Sequence, residues 1–166
     1  MIFADIPSGA NAFIDANALI YHFAPHPILQ PFCEQLLMRV SAGEIVGSTS
    51  SAVLSNVAHR LMTYEAADKY GWPMAGIAYH LQRHPEELKV LTRFRQAVEE
   101  VPGFGVQVHT VDASHVITAA ALSQQHGLLS GDALVAATKQ AHGMTNLASG
   151  DTDFDRVPWI NRFAPG

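Results

Sequence analysis

The chain has 166 residues, 48% of them hydrophobic and 15% charged, which is enough apolar material for a buried core and predicts a single domain over residues 1–166. A formal net charge of −5 argues against a simple electrostatic grip on nucleic acid, because affinity for a phosphate backbone normally comes from Lys and Arg, although an acidic site that uses metal ions would reverse that locally. One cysteine, Cys33, excludes an intrachain disulfide; no run reaches the ~18 apolar residues of a spanning helix, and "MIFADIPSGA" lacks the basic and apolar segments of a signal peptide, so we expect a soluble, cytoplasmic protein with no membrane role.

In chain order, short apolar runs alternate with longer helical patterns. "AFID" (12–15) predicts a strand, followed by the helix "PFCEQLLMRVS" with Cys33 on its apolar face. "EIVGS" (44–48) predicts the second strand and "SSAVLSNVAHRLM" the helix after it. "YGWPMAG" (70–76) and "VPGFG" (101–105) bracket a helical excursion that contains "EELKVLTRFRQAVEEV". Then come the strand "VQVHTV" (106–111), the helices "ASHVITAAALSQQH" and "DALVAATKQAH", and the strands "NLAS" (146–149) and "INRF" (160–163). Gly43, Gly127 and Gly143 stand where C-terminal caps belong. Such alternation predicts an α/β fold, with crossover connections and a mostly parallel sheet covered on both faces.

Asp15 is the first unusual residue, a carboxylate set between "AFI" and "ALI" that carries a desolvation cost unless donors or a cation compensate it. Asp132 opens a helix, while Asp151 and Asp153 follow the fourth strand in "SGDTDFD". Taken singly, Asp132 fits a helix cap and Asp151 and Asp153 fit a turn. Taken together, they are carboxylates delivered to the carboxyl edge of a sheet, where ligands of open α/β folds gather. If they converge, mutual repulsion raises some of their pKa values, and a divalent cation relieves it. Hard oxygen donors suit Mg²⁺ or Mn²⁺, ions that activate water and stabilise charge on a phosphodiester.

"FIDANALIY" with Asp15, "LLSGDALVAAT" with Asp132 and "LASGDTDFDRVPWI" with Asp151 and Asp153 together resemble the PIN domain, specifically the VapC-like toxins of bacterial and archaeal toxin–antitoxin pairs, from about Asn11 to Ile160. The resemblance implies a three-layer α/β/α fold, a Mg²⁺- or Mn²⁺-dependent endoribonuclease acting on RNA, a homodimer, and a VapB-like antitoxin whose C-terminal part covers the acidic cleft. It implies that Asp15 and Asp132 hold metal directly, that Asp151 completes the metal-binding acids, and that Asp153 assists. Asn17 and Ser149 match polar positions that orient the cluster, with capping as their plain alternative; with Arg60 they are the candidates to meet substrate.

One position departs from the pattern. Where family members usually carry a glutamate, as in "LSEVAHRL", this chain reads "LSNVAHRL" and has Asn56. An amide keeps an acceptor oxygen but loses a charge, and a unit pair near 4 Å is on the order of 4 kcal/mol at an effective dielectric of ~20 before desolvation. Glu65, nine residues on, cannot take its place on an unbroken helix. An active nuclease that tolerates the amide, a weakened relative that binds RNA or antitoxin without efficient cleavage, and a toxin silenced by substitution all fit this reading.

Other signals are ordinary. His22 with His26, and His80 with His84, are each followed by proline and lack a third ligand for zinc. Lys89, Arg93 and Gln96 share a face of the "EELKVLTRFRQAVEE" helix, with Arg83 upstream, and would guide RNA or simply face solvent. Phe23, Leu36, Leu37, Trp72 and Tyr79 suit either a partner surface or the core. A phosphatase is disfavoured by the lack of a glycine-rich phosphate loop.

Overall fold

The computed structural model describes residues 1–166. Strands β1 (Asn11–Ile14), β2 (Val46–Ser50), β3 (Gln107–His109), β4 (Asn146–Ala148) and β5 (Asn161–Phe163) form one sheet, parallel throughout, in the order β3-β2-β1-β4-β5. β1 is central and reads as an uninterrupted apolar run because both its faces are covered: Ala12, Phe13 and Ile14 are fully buried. β2 starts two residues later than its apolar content predicts. Its Ser48, Thr49 and Ser50 are nevertheless buried, with Thr49 Oγ1 donating to the Ile14 carbonyl at 2.9 Å. Gly47 lets the neighbouring helix approach, since a Cβ there would lie 2.7 Å from Val40 Cγ1.

Eight helices flank the sheet: α1 (Ala16–Phe23), α2 (Gln30–Ser41), α3 (Ser51–Tyr70), α4 (Ile77–Arg83), α5 (Pro85–Lys89), α6 (Arg93–Glu100), α7 (Ala113–His126) and α8 (Ser130–Ala141). The chain runs from β1 to β2 to β3 in one direction across the sheet, then returns past β1 to β4. Right-handed crossovers therefore put α1–α6 on one face and α7 and α8 on the other, giving three α/β/α layers. The reversal lies between β1 and β4, which makes their carboxyl ends the natural crevice. Gly127 ends α7 at φ 65°, in the left-handed conformation a C-terminal cap requires.

Three local readings need correction. A helix, α1, follows β1 directly; Asp15 is its N-cap, its side chain accepting from Ala16 N–H. The segment over 86–101 is not one helix. The Glu65 carboxylate, reaching across from α3, accepts from the backbone N–H groups of Thr92 at 3.1 Å and Arg93 at 2.8 Å and so starts α6 as a separate helix. Lys89 and Arg93 thus share no face: Lys89 pairs with Glu86 and Arg93 with Asp68, each at 2.9 Å. Finally, β3 is shorter than predicted because Asp112 turns the chain into α7, accepting from Ser114 and His115 N–H.

A main core of 35 buried apolar residues fills both layers, and a four-residue cluster of Ala66, Ile77, Leu81 and Leu91 seats the excursion against α3. Leu36 and Leu37 belong to that main core, Phe23 packs against it, and Trp72 packs on the smaller cluster, so only Tyr79 of the proposed partner residues is exposed. Cys33 is buried and its thiol is pushed up to about 12 by burial, which makes it inert. No helix is long and apolar enough to cross a membrane.

Candidate active site

Asp15 leaves the end of β1 and is buried. Its Oδ1 accepts from Ala16 N–H at 2.7 Å, and its Oδ2 accepts from Asn17 Nδ2 at 2.8 Å and from Ser149 Oγ at 2.7 Å. Ser149, fully buried at the end of β4, in turn accepts from Asn17 Nδ2 at 3.0 Å and from Asp151 N–H at 3.0 Å. Gly150 N–H closes the ring on Asn17 Oδ1 at 3.0 Å. Both protons of the Asn17 amide and every bonding position of the Ser149 hydroxyl are used, so the network fixes the Asp15 carboxylate in one orientation. One of its roughly four acceptor positions remains free. Burial raises the Asp15 pKa, and the bonds from Ser149 and Ala16 oppose that rise.

Asp15, Asn17, Asn56, Arg60, Asp132 and Asp151 line one cavity of about 180 Å³. Asp132 lies in the first turn of α8 but does not cap it: the cap is Leu129, and no side chain bonds the free N–H groups. Its pKa is pushed up to about 6, first by burial and then by the charges of Asp151, Asp15 and Asp153, with Arg156 opposing. Asp151 does shape a turn, accepting from Asp153 N–H through Oδ1 at 2.8 Å, and still lines the cavity.

The residues outside this group are equally definite. Asp153 does not line the cavity; it pairs with Arg156 at 2.9 Å and contributes only its field. Ser149 has no exposed surface, so it holds Asp15 rather than meeting substrate. Asn56 is exposed on α3, which runs unbroken to Tyr70 and carries Glu65 away to cap α6. Arg60 lies 5.2 Å from the Tyr64 ring centroid and donates to its hydroxyl at 3.1 Å.

Sequence reasoning missed Lys139. It is fully buried, donates to the Thr145 carbonyl at 2.9 Å, and has its pKa lowered to about 7 by burial, opposed by the charge of Asp15. The signal was its place seven residues after Asp132, two turns along the same inward face of α8. Tyr21 and Tyr64, which also line the cavity, were missed as well.

A model of the PIN domain family matches residues 12–160. The chain belongs to the PIN domain family. Its fold is also similar to solved structures: a toxin–antitoxin complex from Klebsiella pneumoniae (20% identity, 90% of this chain and 95% of that one, TM-score 0.55), VapBC2 from Rickettsia felis bound to a promoter DNA fragment (16%, 93% and 98%, 0.55), and VapC20 from Mycobacterium tuberculosis, a toxin that cleaves the sarcin–ricin loop (17%, 87% and 92%, 0.61). No curated protein sequence matches the chain.

In this PIN domain no three His, Cys, Asp or Glu side chains stand close enough together to hold a metal ion by themselves. The donors fit a different kind of site. One free position on Asp15, a half-buried Asp132 with no bonding partner and one oxygen of Asp151 face a cavity with room for water, which suits a hard cation held by few carboxylates that keeps part of its hydration shell.

Proposed function

We propose that this PIN domain is a metal-dependent endoribonuclease, the toxin of a VapBC-type pair. One observation carries the reading: Asp15, Asp132 and Asp151, from three separate strand and helix ends, face one cavity, where burial and then the charges of the neighbouring acids lift Asp132 to about 6. An arrangement that resists its own ionisation is what a divalent cation relieves. Asp15, Asp132 and Asp151 would hold Mg²⁺ or Mn²⁺, which supplies an activated water and stabilises charge on the phosphodiester.

The protein's own contribution is orientation. Asn17 and Ser149 hold Asp15 in place, as outer partners of a ligating carboxylate do. Arg60, exposed at the cavity edge, is placed to meet a substrate phosphate. Asn56 faces the same space with an uncharged acceptor and favours a second reading, a weakened PIN domain that binds RNA or an antitoxin without efficient cleavage. The antitoxin partner is proposed from the complexes formed by the structural neighbours. For a homodimer, the exposed Val116 and Ile117 of α7 with Leu129 offer a better surface than Phe23, Leu36, Leu37 and Trp72, which are packed within the monomer.

Incubation of a structured RNA with the protein in Mg²⁺, Mn²⁺ or EDTA separates the readings. The nuclease requires internal cuts that depend on the ion and vanish in Asp132→Ala; RNA binding without cuts selects the weakened module.

A further inference from the structure

The acidic cavity shares a wall with another. Tyr21 of α1 and Tyr64 of α3 border the acids on one side and, on the other, line a second cavity of about 310 Å³ together with His26, Asp68, Met74 and Arg93. His26 meets Tyr21 edge-on, with ring centroids 4.9 Å apart. Its Nδ1 accepts from Leu29 N–H at 3.0 Å, so the neutral ring carries its proton on Nε2 as a donor. Asp68 and Arg93, paired at 2.9 Å, add an acceptor and further donors. Arg60, bonded to the Tyr64 hydroxyl, stands at the boundary between the two spaces.

A net charge of −5 disfavours holding RNA mainly through phosphate contacts. Stacking of unpaired bases on aromatic rings provides an alternative that needs no basic surface. We propose that the second cavity receives the base of a nucleotide adjoining the scissile phosphate, packed against Tyr21 and Tyr64 and hydrogen-bonded at its edge by His26, Asp68 and Arg93, with Arg60 on the intervening phosphate. The proposal rests on the nuclease reading of the neighbouring acids. The cavity suits a base better than a purely apolar protein side chain, because His26, Asp68, Arg93 and the two tyrosines present donors and acceptors beside its aliphatic walls.

The test uses a short single-stranded RNA carrying one abasic site, moved position by position. Binding is read by fluorescence anisotropy in EDTA, where no cut is made, and cleavage in Mn²⁺. For the unaltered protein, one abasic position next to the cut is expected to weaken binding about tenfold to a hundredfold. Tyr64→Leu and, as a loop variant that spares the core, His26→Ala should weaken binding of intact RNA and be insensitive to that same abasic site, while Tyr64→Phe retains the sensitivity. Independent, multiplicative effects of variant and abasic site overturn the proposal, as does equal binding of every abasic RNA. Coupling in binding without cleavage by any form keeps the base pocket and removes the nuclease.

Discussion

On the sheet side of the cleft, Asp15 is buried and triply bonded; on the α3 side, Asn56 and Arg60 are exposed, and Asn56 has no bonding partner. The first wall spends two polar side chains and a backbone N–H on the orientation of one carboxylate. The second offers an amide and a cation that can adapt to whatever enters. The metal-dependent nuclease proposed above would need both properties, fixed ligands for the ion and tolerant contacts for a polymer, and they would fall on different elements. Removing the fixed side should therefore cost most. Asp15→Ala is expected to lower cleavage at least about a thousandfold, the loss of several kcal/mol of charge stabilisation, with the far-ultraviolet dichroism unchanged. Cleavage within tenfold of the parent would detach Asp15 from the chemistry.

Ser149→Ala tests whether orientation itself matters. It deletes no ligand, yet it frees Asp15 Oδ2 and leaves Asp151 N–H without its acceptor. We expect metal affinity about ten- to a hundredfold weaker and stability lower by about 1–3 kcal/mol. Calorimetric titration with Mn²⁺ and urea unfolding measure the two; a stability loss with unchanged affinity would make Ser149 purely structural. On the adaptable wall the effect should be smaller and opposite in sign. Asn56→Glu adds a charge facing the acids' cavity from an exposed site that can accommodate it, so Mn²⁺ affinity and cleavage should rise by up to about tenfold. No change in either quantity removes Asn56 from the site.

The same division explains what could be read from the sequence. Asp15 was legible because a carboxylate inside an apolar strand run has few explanations, and the parallel sheet because strands and helices alternate. α1 escaped because its start depends on the Asp15 cap, and an Asp read as a site residue hides its second role. The break before α6 escaped because its cause, Glu65, lies 27 residues away on another helix. Tyr21 and Tyr64 meet only through the packing of α1 on α3. A periodic pattern records which face is buried; it does not record which two faces meet.

Proton competition sharpens the comparison from the acid side. Asp132 titrates at about 6 in the fold against 3.8 ordinarily, so the fold favours its protonated form. The stability this contributes is complete below pH 3.8 and is lost as pH rises through about 6, where ionised Asp132 faces the other acids with only Arg156 to offset them. A bound cation reverses that loss. Mn²⁺ affinity should tighten by at most about tenfold per unit between pH 5 and 6 and level off above it, and the rise in melting temperature on adding Mn²⁺ should be larger at pH 7.5 than at pH 5. A pH-independent shift would mean that the ion binds elsewhere.

Lys139 should give the smallest effect, and one in the other direction. Its folded pKa, about 7, lies below the ordinary 10.5, so the fold favours the neutral amine; the stability this contributes is present above pH 10.5 and lost as pH falls through about 7. At neutral pH the buried ammonium is a net burden, relieved only by the Thr145 carbonyl and the field of Asp15. Lys139→Met removes the charge but strands that carbonyl, so we expect a gain of about 1–2 kcal/mol at pH 6 in urea unfolding. The gain should shrink toward pH 9, because the parent recovers as its lysine neutralises and the variant has nothing to titrate. Destabilisation at pH 6 would instead mean that Asp15 relies on Lys139 as a counterion, and the rigid wall of the cleft would then extend through the sheet into α8.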